Sequence, residues 1–230
     1  ASSAAIYGSL TSPQVVGRES PENPYGYSKY VMDQIAYRTI HGYPNLNIVG
    51  LRYFNVYGPR EAHKASMASI VYQMFKQYFE HGRLRLFRGT GGFGDGEQRR
   101  DFISVEDIVR VNFFFLKNPE LRGIFNVGTG CSRSFNDVAL AVINSIRAPL
   151  RQSPITLKDS VADGLIGYFD MPDILKPRYQ SFTEADITRL RNAGFSSRFC
   201  SLEEGVTAYH SWLKGEQSFD ISFGRFPVGR

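Results

Sequence analysis

The sequence predicts an α/β chain built on a mostly parallel sheet, with a less regular C-terminal part that suits a smaller α/β subdomain. Three observations carry this. Segments of strand character alternate with segments of helical period, the pattern that crossover connections impose on parallel strands. Apolar residues are 42% and charged residues 21% of the 230, a balance that can bury a core. Apolar runs such as Phe113–Leu116 are long enough for core and far too short to cross a bilayer.

Ser2–Gly8 reads as the end of a strand. Tyr25–Gly42 predicts a helix, with Val31, Met32, Ile35 and Ala36 at helical spacing and Gly42 and Pro44 as its stop. Asn47–Phe54 is rich in β-formers and ends before the Tyr57-Gly-Pro59 break. Ser66–His81 is helical again, and short extended pieces follow at Arg85–Phe87 and Asp101–Ser104. Val105–Lys117 predicts a helix and Ile124–Val127 a buried strand. Ser134-Phe-Asn-Asp137, Thr183-Glu-Ala-Asp186 and Ser201-Leu-Glu-Glu204 each read as a capping-box start. Leu150–Pro177, rich in Pro, Asp and Gly, reads as irregular, and residues 215–230 as a mobile tail.

Composition excludes several classes of function. The net charge of +5 rests on 27 Lys and Arg, of which 20 are Arg, and no basic run exceeds two residues. That is no nucleic-acid footprint, whereas an arginine excess suits a phosphorylated small molecule. Cys131 and Cys200 cannot form a disulfide framework, and no histidine has a second ligand at metal spacing, so no metal is expected. No secretory leader is read at Ala1, no membrane insertion is expected, and a reduced cytoplasmic setting is. The cluster Gly89–Gly96 is followed by a short strand, not by a helix N-terminus that could hold a phosphate, and reads as a flexible loop.

The first chemical candidate is Tyr25-Gly-Tyr-Ser-Lys29. Tyr and Lys at i, i+4 share a helix face, and an ammonium that close favours the phenolate, making Tyr25 a usable proton acceptor and donor. With 13 Tyr and 7 Lys in the chain, roughly 0.4 such pairs arise by chance, so the motif counts only through its context. Ser3, Arg52–Arg60 and Gly123–Gly128 all fall where strands end, and open parallel sheets place ligands at the C-terminal edge of their strands. Asp101 and Asp107 could be read as an acid/base pair. A structural role is preferred, with Asp101 held by an arginine and Asp107 near a helix start. Cys131 lacks a His partner.

Taken in order, Ser-Ser-Ala-Ala-x-Tyr-Gly, Tyr-Gly-Tyr-Ser-Lys, Arg-Tyr-Phe-Asn-Val-Tyr-Gly-Pro-Arg, Arg-Asp-Phe-Ile-x-Val-x-Asp and Phe-Asn-Val-Gly-Thr-Gly resemble the extended short-chain dehydrogenase/reductase family of nucleotide-sugar epimerases and dehydratases. The run Glu61-Ala-His-Lys64-Ala-Ser66-Met-Ala-Ser69, with Leu175–Thr183 and Glu204–Leu213, is similar to the branch that epimerises ADP-linked heptoses. The resemblance implies a doubly wound, Rossmann-like parallel sheet, here partial. Residues 1–65 would form the later half of the dinucleotide-binding domain. Residues 66–214 would form a substrate-binding subdomain interleaved with returning sheet elements at about 101–128.

It further implies hydride removal from a secondary alcohol carbon and its return to the opposite face, with NADP as cofactor and NAD as the alternative. Tyr25 and Lys64 would serve the two faces. Ser3 would hydrogen-bond the reacting oxygen, and Lys29 the nicotinamide ribose. Tyr25, Lys29, Val56 and Lys64 would contact the cofactor. A lysine working as a base needs burial or a cationic neighbour, such as Lys29 or Arg60. Asn55, Ser66, Phe87, Arg88, Gly89, Thr90, Arg100 and Tyr179 would contact an ADP-sugar, with Arg100 on the diphosphate. Gln73 stands where the branch carries a substrate-contacting His. Residues 91–98 and 150–167 read as insertions. A homo-oligomer is implied for the full-length protein.

The family's glycine fingerprint and its cofactor selector precede the matched motifs. About 100 further residues are therefore expected ahead of Ala1, and the chain by itself is expected to bind NADP weakly. The alternatives are a UDP- or dTDP-sugar 4-epimerase or 4,6-dehydratase, and a non-catalytic nucleotide-sugar-binding fragment.

Overall fold

A computed structural model describes residues 1–10, 13–43, 45–173, 175–176 and 179–215. Apart from Gly215, the expected tail lies outside them. The elements run β1 (Ser2–Ser3), α1 (Pro24–Gly42), β2 (Val49–Tyr53), β3 (Asn55–Tyr57), α2 (Ile70–His81), β4 (Leu84–Phe87), β5 (Arg99–Ser104) and α3 (Val105–Lys117). They continue with β6 (Gly123–Val127), β7 (Ser132–Ser134), α4 (Phe135–Arg147), α5 (Leu157–Ala162), β8 (Ile166–Phe169), α6 (Thr188–Asn192) and α7 (Leu202–Leu213).

The first sheet is parallel, in the order β1-β2-β6. Its register sets Ser3 beside Tyr53 and Tyr53 beside Val127, so the three strands end at one level. A second sheet, β3-β5-β7, adds an antiparallel strand, and β4 pairs with β8 in parallel. One core gathers Leu51, Ile103, Val111, Phe115, Phe125, Val127 and Leu190. Another joins α2, α4 and α7 through Val71, Phe75, Val138, Val142, Ile143, Val206 and Tyr209.

Local chemistry explains the boundaries. Asn23 caps α1 by accepting from the Gly26 N–H at 2.8 Å, and Pro24 opens the first turn. Both halves of the capping box form at Ser134/Asp137 and at Ser201/Glu204. The third expected box does not form. Thr183 and Ala185 are buried beside bridges to β5 and Gln14, and the helix starts only at Thr188, with no side-chain cap. There the burial of an extended segment overrides the capping pattern. Helix α2 begins at Ile70, not Ser66, because Ser69 Oγ accepts from the Tyr72 N–H at 3.2 Å. Residues Ala62–Met67 form a separate 3-10 segment. The stretch read as irregular contains α5 and β8; β8 is completed by β4, a partner some 80 residues away that no local pattern reveals.

Asp101 is held differently from expectation. Its buried carboxylate accepts from the Thr129 N–H and Oγ at 2.7 Å each, from Gly130 at 2.9 Å and from Ala185 at 3.0 Å. No arginine takes part among these contacts, because the turn after β6 supplies enough donors. Burial raises the Asp101 pKa, and these four hydrogen bonds oppose the rise. Asp107 does sit in the first turn of α3, where it pairs with Arg110 and accepts from Cys200 N. The glycine cluster is a tied loop, with Gly89 N–H on Asp95 Oδ1 at 2.8 Å and Gly96 N–H on the Phe87 carbonyl at 3.0 Å.

Helix α1 meets the end of β1 through a glycine. A Cβ on Gly26 would lie 2.5 Å from the Ala5 carbonyl oxygen, a contact that the helix or the strand end must shift to avoid. Gly→Ala inside a helix ordinarily stabilises by about 1 kcal/mol. Here Gly26→Ala is expected to destabilise by about 1–3 kcal/mol, because the clash is with backbone. A thermal midpoint at or above that of the parent would refute it.

Candidate active site

Two groups of side chains stand out, one at the ends of the parallel strands and one around a cavity. In the first group, Ser3 ends β1, and its Oγ accepts from the Ala5 N–H at 3.2 Å. That leaves the Ser3 hydroxyl proton for another acceptor. Tyr25 lies in the first turn of α1 and is 56% exposed. Lys29, one turn later, has its Nζ 5.7 Å from the Tyr25 ring centroid and donates to the Ala1 carbonyl at 3.5 Å. The Gly26–Ala5 contact locks these two elements together, since Gly26 follows Tyr25 and Ala5 lies two residues beyond Ser3.

Behind them a buried ionic network ties α1 to the sheet. Arg52 of β2 donates from Nε to Asp33 Oδ2 at 2.8 Å, and from Nη1 to Glu19 at 2.6 Å and to the Tyr7 hydroxyl at 2.8 Å. Asp33 lies on α1 and also accepts from the hydroxyl of Ser2, the neighbour of Ser3, at 2.9 Å. Tyr7 in turn donates to Asn126 of β6 at 2.6 Å. Burial works against the Arg52 charge, but Tyr7, Asp33 and Glu19 outweigh it and raise the arginine's pKa. Tyr7 is itself pushed up by burial.

Lys64 and Ser66 are exposed on the 3-10 segment Ala62–Met67, and Arg60 is exposed beside it. Lys64 thus lacks burial, one of the two conditions that the sequence argument set for a base. No hydrogen bond or ion pair joins it to Tyr25 or Ser3 among the described residues. Asn55 is exposed at the start of β3, with its Oδ1 accepting from Thr183 Oγ1 at 3.4 Å. The Val56 N–H is donated to the Phe54 carbonyl at 2.9 Å.

The second group surrounds a cavity of about 360 Å³ lined by Phe87, Arg100, Tyr179, Gln98, Phe135 and Phe169, among others. Arg100 is 8% exposed. Its guanidinium lies 5.1 Å over the Tyr179 ring and 5.8 Å over Phe135, and donates to the Arg99 carbonyl at 2.8 Å. No carboxylate pairs with it among the described residues. Burial lowers the Arg100 pKa, partly offset by Tyr179, yet an arginine stays charged at neutral pH. A buried cation facing a cavity without a counter-ion is a site for an anion. Phe87 stacks edge-on to Tyr179 at 6.0 Å and packs against Phe169 at 4.9 Å.

Three residues of the expected nucleotide stretch stand away from this cavity's lining. Arg88 is exposed and pairs with Asp170 at 3.7 Å, while Gly89 is tied to Asp95. The Thr90 hydroxyl is reached by Gln98 Nε2 at 3.5 Å. Gln98 also donates to the Arg88 carbonyl at 2.9 Å, and so braces the strand end that the sequence reading named. Gln98, Phe135 and Phe169 were not singled out from the sequence. A polar residue closing a glycine-rich loop before two arginines was the only available hint of the first.

Comparison with known proteins places the chain in a family. Residues 1–128, more than half of the chain, match the NAD dependent epimerase/dehydratase family. The chain belongs to that family. An ADP-L-glycero-D-manno-heptose-6-epimerase of Thiobacillus denitrificans is 53% identical over 210 residues, covering 91% of this chain and 63% of the relative. One from Cupriavidus pinatubonensis is 50% identical over 214 residues, covering 93% and 64%. The crystal structure of the Helicobacter pylori ADP-L-glycero-D-manno-heptose-6-epimerase superposes with a TM-score of 0.70 at 32% identity, covering 93% of this chain and 58% of that one. This epimerase/dehydratase-family chain therefore spans 58–64% of the length of these three relatives.

Proposed function

We propose that the full-length protein epimerises ADP-D-glycero-D-manno-heptose to the L-glycero form by oxidation and re-reduction at C6, using NADP or NAD, in heptose precursor synthesis for lipopolysaccharide. The observation that carries the substrate side is Arg100, a buried guanidinium without a carboxylate partner at an aromatic-lined cavity. The half-sequence identity of the heptose epimerases supports the choice of sugar.

The residues present fit the nicotinamide end of a dinucleotide. The Ser3 hydroxyl ends β1 at the C-terminal edge of parallel strands, the Tyr25 phenol and Lys29 ammonium share one face of α1, and Lys29 spends one contact on Ala1, leaving donors for ribose hydroxyls. When bound, a nicotinamide supplies the hydride acceptor and donor for both half-steps. Ser3 orients the reacting oxygen with the proton its cap leaves over. Tyr25 and Lys64 take or return the alcohol proton, one for each face of the carbon. Arg100 binds the diphosphate, Tyr179 and Phe87 wall its site, and Asn55 and Ser66 address the sugar.

The test is incubation of full-length protein with ADP-D-glycero-D-manno-heptose, with inversion followed by NMR. Conversion of a UDP- or dTDP-hexose alone would overturn the heptose assignment. In the same assay Arg100→Met is expected to raise KM for the ADP-sugar by about 10–100-fold, the size of a lost charge-assisted hydrogen bond. An unchanged KM would remove the diphosphate from this cavity.

A further inference from the structure

The segment carrying Lys64 is strained and strapped. Arg60 and Ala65 are two of the three non-glycine residues with positive φ among the described residues, at 69° and 50°. Ala65, with ψ −118°, breaks the 3-10 segment immediately after Lys64. Such conformations persist only where surrounding contacts hold them. Two ties do so here.

The first tie is Glu61, which is buried. Its Oε1 accepts from Gly58 N at 3.3 Å and from Ser69 Oγ at 2.7 Å, and its Oε2 from Ser69 N at 2.6 Å. This closes the base of the loop onto the start of α2. The second tie acts at the strained turn. The Ala65 carbonyl accepts from Ala68 N at 3.2 Å and from Gln73 Nε2 at 2.7 Å. Gln73 sits one turn into α2, so its side chain carries the position of a rigid helix to the carbonyl of the residue that follows Lys64. The Lys64 side chain makes no hydrogen bond or ion pair of its own among the described residues, so its placement rests on this backbone.

We propose that Gln73 is a positioning residue for Lys64: by holding the Ala65 carbonyl it maintains the strained turn that presents the lysine, rather than contacting the sugar itself. The proposal rests on the reading of Lys64 as a proton-transfer group. It separates two roles that a polar side chain on this helix could have, binding substrate directly or fixing a catalytic loop.

The test uses full-length protein with Gln73→Met, which keeps the length and loses the donor, and Gln73→Glu, which keeps the shape and donates only when protonated. Gln73→Met is expected to lower kcat about tenfold, one hydrogen bond's worth, with KM for the ADP-sugar within about twofold. Gln73→Glu should match it at pH 8 and recover relative to the parent as pH falls toward about 5, while the ratio of Gln73→Met to parent stays flat. Native-state trypsin cleavage after Lys64, followed by mass spectrometry, should accelerate several-fold in Gln73→Met. A raised KM at unchanged kcat would make Gln73 a substrate contact and overturn the proposal, as would parental kcat and parental cleavage together. If Lys64→Met left turnover intact, the proton-transfer reading would fall. The cleavage rate would still report whether Gln73 straps the segment, because that measurement does not pass through catalysis.

Discussion

Arg52→Met is expected to cost about 3–5 kcal/mol of folding stability, the cost of leaving buried charges uncompensated. Removing the guanidinium strands the carboxylates of Asp33 and Glu19, whose side chains are 2% and 10% exposed, and takes a partner from the Tyr7 hydroxyl. A loss of that size is a large part of the 5–15 kcal/mol typical of a domain. It should appear as a lowered urea midpoint at an unchanged slope. The double variant Arg52→Met/Asp33→Leu should recover part of the loss, since an apolar pair avoids the stranded charge. A single-variant cost below about 1 kcal/mol would mean that water reaches the network. The consequence for function is geometric. Asp33 joins α1, which carries Tyr25 and Lys29, to Arg52 on β2 and Ser2 on β1. A weakened network should therefore lower kcat even in the fraction that stays folded.

This network was the part of the site least legible in the sequence. Arg52 reads there as one letter of a strand motif, and Asp33 as a polar position on a helix. Only the pairing of β1, β2 and α1, separated by dozens of residues, reveals that both are buried. An arginine inside an apolar parallel strand was a signal in principle, since it must be compensated. Its partners could not be named without the fold. Helix starts were legible where capping side chains act locally, as at Ser134 and Ser201. The capping pattern failed at Thr183, where extended pairing wins, and the strand β8 was missed because its partner is distant in sequence.

The same contrast divides the candidate site. Ser3, Tyr25 and Lys29 were legible because strand end and helix turn fix their neighbourhood by short-range geometry. Arg100 was named through the resemblance of its Arg-Arg-Asp-Phe motif, whereas its isolation from carboxylates is a property of packing. The Gln98 brace and the Gln73 strap are side chain to backbone contacts, which leave no periodic trace in a sequence.

Tyr25→Phe and Lys64→Met are each expected to lower inversion by about 10²–10⁴-fold, the usual worth of a positioned acid/base group. The informative result is how the two variants differ. If Tyr25 and Lys64 serve opposite faces of one carbon, each single variant should still oxidise the epimer whose proton the surviving group takes. Single-turnover reduction of the nicotinamide, read by absorbance with each epimer in turn, should then be lost for one epimer in Tyr25→Phe and for the other in Lys64→Met. Far-UV circular dichroism should be unchanged, because both side chains are exposed and neither holds the core. Loss of the same epimer in both variants would place the two groups on one face, leaving the ketone to turn over between half-steps by another route. Full activity in Lys64→Met would leave Tyr25 as the sole proton carrier. The exposure of Lys64 makes this comparison the sharper one: a solvated lysine on a strapped loop acts as a base only if bound substrate covers it, so its loss should be felt in kcat more than in KM.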